Sequence, residues 1–108
     1  MSTVADVLPY MQNWLDARAA QVGVVAGFTA AKTAMTTARQ AVTVRVVAGD
    51  TAAAMTALVT TYVNARVTFI AQDVLQRAAV DLTASRYAAF EQMVELLATG
   101  QDVPPFGG

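Results

Sequence analysis

The 108-residue chain is 56% hydrophobic and 14% charged, carries a formal net charge of -1, and contains neither histidine nor cysteine. Without cysteine there is no disulfide framework or thiolate metal site, and without histidine the commonest metal ligand, general base and near-neutral pH switch is missing. The small net charge gives no general attraction to phosphate, and no basic run with interleaved aromatics supplies a local one, so nucleic acid is not an expected partner.

This length fits one domain, expected over residues 1–100 with an extended Pro/Gly arm over 101–108. The mean hydropathy of +0.44 is high for so short a chain. Apolar faces left on a monomer with little charge repulsion favour association. The first ten residues hold Asp6 and no basic residue, unlike a signal peptide. The longest uncharged stretch, residues 51–65, contains four threonines and Asn64 and falls short of a membrane-spanning length. A cytoplasmic or particle-associated location is the expectation.

In chain order, three helices are predicted, separated at Gly49-Asp50 and at Asp81-Leu82-Thr83. The first two are long and antiparallel, the third is shorter, and the fold class is all-α. Thr3 and Asp6 have the spacing of a capping box. Pro9 lies after the first turn of a helix starting at Val4, which predicts a short N-terminal turn and a kink ahead of the long helix. Along the first helix, Trp14, Ala17, Gln21, Val24, Phe28, Ala31, Met35, Ala38 and Val42 recur at steps of three and four, a heptad seam. Beside it runs a row of small residues, Ala20, Gly27, Ala34 and Ala41, which predicts close approach of another helix. Gly23 and Gly27 form a Gly-x-x-x-Gly spacing, read as a close soluble crossing because the segment is too short to span a bilayer. Arg18, Lys32 and Arg39 make this segment locally basic, whereas Asp73, Asp81, Glu91 and Glu95 come later, so opposite faces are suited to pair.

Residues 41–47 alternate at period two and are rich in valine, which also suits a strand, but the heptad continues through Val42 and helix is preferred. Asp50-Thr51 offers cap oxygens for the second helix. Its predicted core stripe is Met55, Val59, Tyr62, Val63, Val67, Ile70 and Val74, with Thr60, Asn64, Thr68, Gln72 and Gln76 opposite. Thr83 or Ser85 would cap a third helix whose stripe is Tyr87, Phe90, Val94 and Leu97, closed by Gly100 in a left-handed conformation. Thirteen threonines lower helix propensity, so packing must supply stability that local preference does not. In the tail, Pro104-Pro105 cannot continue a helix and present Val103 and Phe106 on a stiff arm suited to dock on its own bundle or on a neighbour.

No phosphate-binding glycine loop is present. Glu91 and Glu95 are the only paired carboxylates at one-turn spacing, and they read as a solvated face, so no catalytic, cofactor or metal residue is assigned. The expectation is a non-enzymatic assembly subunit that self-associates through apolar helix faces, into a homo-oligomer or a larger particle such as a virion. Its interface residues are expected to be Ala20, Gly27, Phe28, Ala34, Met35, Ala41, Val103 and Phe106. The partners are copies of itself and possibly other assembly proteins, with no cofactor and no membrane span. The alternatives are an adaptor binding one heterologous helix, or a carrier holding a small apolar ligand among Phe28, Met35, Met55 and Phe69.

Overall fold

A computed structural model of the chain describes residues 1–107; Gly108, the last residue of the expected arm, lies outside the described residues. Helix α1 spans Val4–Val47 and helix α2 spans Thr56–Ala98, and no strand occurs among the described residues. The polypeptide forms two compact units, one from Met1–Gly23 with Arg77–Gly108 and one from Val24–Gln76. Each unit contains a piece of both helices.

The N-terminus of α1 is capped as its spacing requires. The Thr3 amide donates to the Asp6 carboxylate at 2.7 Å, and the acidic side chain also suits the positive end of the helix. Contrary to the expected separate turn, α1 continues through Pro9. An interior proline costs about 3 kcal/mol. On either side of Pro9, Val7 is buried and Tyr10 is hydrogen-bonded, and these contacts hold the segment helical.

Both helices end on glycine. At Gly49 (φ 83°) the Gly49 amide donates to Val46 O and the Asp50 amide to Arg45 O. At Gly100 (φ 77°) the same pattern runs from Gly100 to Leu97 O and from Gln101 to Leu96 O. This paired closure places a left-handed residue just past the helix, where a side chain would be strained. An Arg45–Asp50 ion pair at 3.8 Å spans the first of these turns.

The start of α2 differs from expectation. Thr51 Oγ1 accepts from the Ala54 amide at 3.2 Å, but this cap closes only a turn, and the helix begins at Thr56. No third helix starts at residues 81–85. Thr83, expected as a cap, donates its hydroxyl to Ala79 O one turn back at 2.9 Å, so its side chain is satisfied inside a continuous helix. Thr43, Thr60, Thr61, Thr68 and Thr99 make the same backward bond. Residues 41–47 are helical, as preferred.

In the unit Val24–Gln76, α1 contributes Val24, Phe28, Ala31, Met35, Ala38 and Val42, all buried or half-buried at heptad spacing. Met55 is buried just ahead of α2, and Leu58, Tyr62, Ala65, Phe69, Gln72 and Gln76 continue at the same spacing. The Phe28 and Phe69 rings meet at 5.4 Å. The predicted stripe of α2 therefore meets the seam only at Met55 and Tyr62: Val59, Val63, Val67, Ile70 and Val74 are 42–62% exposed, while Gln72 and Gln76 are half-buried. One helix pair buries one seam, and on α2 that seam carries the half-buried rings of Tyr62 and Phe69, the latter packed on Phe28.

In the unit formed by Met1–Gly23 and Arg77–Gly108, the seam of α1 is Val7, Tyr10, Trp14, Ala17 and Gln21. The matching α2 positions are Ala79, Thr83, Arg86, Phe90, Met93 and Leu97. Here the core is Val7, Met93 and Val103, surrounded by Tyr10, Phe90, Leu96 and Leu97. Among the described residues only six hydrophobic side chains are buried and none is fully enclosed.

Candidate functional site

The C-terminal arm is bound along the first unit by contacts of three kinds. Val103 is 8% exposed between Val7 and Met93, and its amide donates to Ser2 Oγ at 2.8 Å. Tyr10 donates its hydroxyl to Pro104 O at 2.7 Å and approaches Pro105 O at 3.3 Å. Prolines lack an amide hydrogen, so their carbonyls are what a neighbour can engage. The Tyr10 ring also meets Phe106 edge-on at 5.1 Å.

An aromatic group lies farther along the same unit. Trp14 meets Tyr87 edge-on at 4.8 Å and stacks on Phe90 at 5.8 Å, with the Arg18 guanidinium 5.9 Å from its centre. Arg86 donates to Asn13 O at 3.1 Å and so ties α2 to α1 at this level. Outward from these rings, Tyr87, Phe90, Glu91, Val94 and Glu95 line a shallow open groove. The Glu91 carboxylate accepts the Tyr87 hydroxyl and, being negative, disfavours a phenolate, which raises the Tyr87 pKa above the usual tyrosine value.

The eight residues expected at an interface are dispersed. In the second unit, Gly27 is half-buried, and a methyl group placed there would sit 3.0 Å from Gln72 Oε1. Phe28 and Met35 are half-buried in the seam, and Ala41 lines a groove with Thr37, Gln40, Val44 and Leu58. Ala20, in the first unit, and Ala34, in the second, are exposed, so within each unit the small row meets its partner helix only in part. Val103 and Phe106 belong to the arm, with Phe106 38% exposed.

Of the residues named for an apolar ligand, Phe28 and Phe69 pack on each other, and Met55 lies in an open groove with Val42, Val46 and Val59. Sequence reasoning missed Ser2 and Tyr10 as anchors of the arm. Their signal was weak: two hydroxyls near the N-terminal end acquire meaning only when the fold brings the C-terminal arm to them.

No group of acidic side chains is placed to hold a metal ion among the described residues. Among the described residues no helix is long and apolar enough to cross a membrane. Comparison with protein-family models, curated proteins and solved structures finds no match to the chain.

Proposed function

We propose that the protein is a non-enzymatic assembly subunit that associates with copies of itself through apolar helix faces, in a homo-oligomer or a larger particle such as a virion. The observation that carries this reading is the row Val59, Val63, Val67, Ile70 and Val74, which the helix pair leaves 42–62% exposed on one side of α2. An apolar row of five β-branched side chains is a poor surface for a free chain and a good one for a partner.

Light scattering across a tenfold concentration range tests the proposal. A stable multiple of 11.3 kDa is the expected result. A monomer at every concentration overturns it.

A further inference from the structure

The charges divide between the two units. The unit of Met1–Gly23 and Arg77–Gly108 has three basic and six acidic side chains, net -3, and Val24–Gln76 has four basic and two acidic, net +2. In the basic unit, Arg45 is paired with Asp50, while Lys32, Arg39 and Arg66 are exposed and none forms an ion pair among the described residues. In the sequence Arg66, exposed, precedes Val67 of the valine row, and Asp73, half-buried, precedes Val74. In the acidic unit, Glu91 and Glu95 are also exposed and without an ion pair, and they border the apolar groove of Tyr87, Phe90 and Val94. Each unit thus has exposed apolar side chains, and the two units carry net charges of opposite sign.

We propose that the groove of Tyr87, Phe90, Glu91, Val94 and Glu95 receives the Val24–Gln76 unit of a second copy, with Lys32 and Arg39 on its edge facing Glu91 and Glu95. This rests on the assembly reading and adds its polarity. The contact is heterologous: acidic unit to basic unit, repeated from copy to copy, closing into a ring or extending as a filament. Two acidic faces, or two basic ones, repel, so the charges select against like-to-like pairing.

The test is charge exchange, read by light scattering at low salt with circular dichroism to confirm helix content. Two variants are made, E91K/E95K and K32E/R39E, along with the fourfold variant carrying all these changes. Each double variant alone is expected to need at least about tenfold higher concentration to assemble than the unaltered protein, because like charges now face each other. The equimolar mixture and the fourfold variant are expected to assemble again, since every junction in them is once more acidic against basic. If the unaltered protein assembles and the double variants assemble equally well, this contact is overturned while the assembly reading stands. The contact is also overturned if the double variants, still helical, lose assembly and neither the mixture nor the fourfold variant regains it. A monomeric unaltered protein overturns both.

Discussion

At the scale of single residues, three of the four glycines within and at the ends of the helices have different work to do. Gly23 lies inside α1 with a helical backbone and nothing within 4 Å of where a methyl group would stand. Gly23→Ala should therefore stabilise the protein by about 0.5–1 kcal/mol, the helix-propensity difference, and raise its thermal midpoint. Gly100 has equal space but a φ of 77°. Gly100→Ala should lower the midpoint, by about 1 kcal/mol of left-handed strain. Gly27 differs from both because the neighbour it would meet, Gln72 Oε1 at 3.0 Å, is the end of a flexible side chain. At Tyr10, loss of the hydroxyl removes the bond to Pro104 O and keeps the ring against Phe106. Tyr10→Phe should cost about 0.5–1.5 kcal/mol, with faster amide exchange at Val103 as the local signature.

At the scale of elements, the question is which side of α2 does what. Phe69→Ala removes a half-buried ring from the contact with Phe28 and should cost roughly 2 kcal/mol in thermal or denaturant unfolding. Val67→Lys, two residues away but 62% exposed, should leave helix content unchanged and reduce the assembled mass instead. The opposite result, with Val67→Lys unfolding the chain and Phe69→Ala harmless, would return the valine row to the interior. The seam of α1 was legible from residues alone, because Trp14, Phe28, Met35 and Val42 leave only one apolar line at heptad spacing. The seam of α2 was not. Two apolar lines run along that helix, one rich in valine and one holding Tyr62 and Phe69, and counting hydrophobic residues favours the valines. The contact of Phe69 with Phe28 decides for the other, and that depends on what stands across the seam. The continuity of α2 was hidden for a related reason. Asp81 and Thr83 carry the chemistry of a cap, and only the backward bond of Thr83 to Ala79 O shows that the hydroxyl is satisfied within the helix. Both glycine closures were legible as stops, since little besides glycine suits the positive φ they need.

At the scale of the whole molecule, the proposed assembly makes stability and self-association one quantity. With six buried hydrophobic side chains among the described residues and none fully enclosed, each unit has a thin core. A partner that covers the valine row binds the folded form alone, because the row exists as a surface only when α2 is helical. Linkage then requires the folded state to gain stability as the concentration of copies rises. The expected outcome is a thermal midpoint that climbs with protein concentration in the unaltered chain. It should become independent of concentration in Val67→Lys, which keeps the fold and loses the surface. Calorimetry over a hundredfold concentration range checks this. A midpoint that stays constant for the unaltered chain would mean that the helix pair is stable without its copies, and the exposed valines would then have no energetic role in holding the fold together.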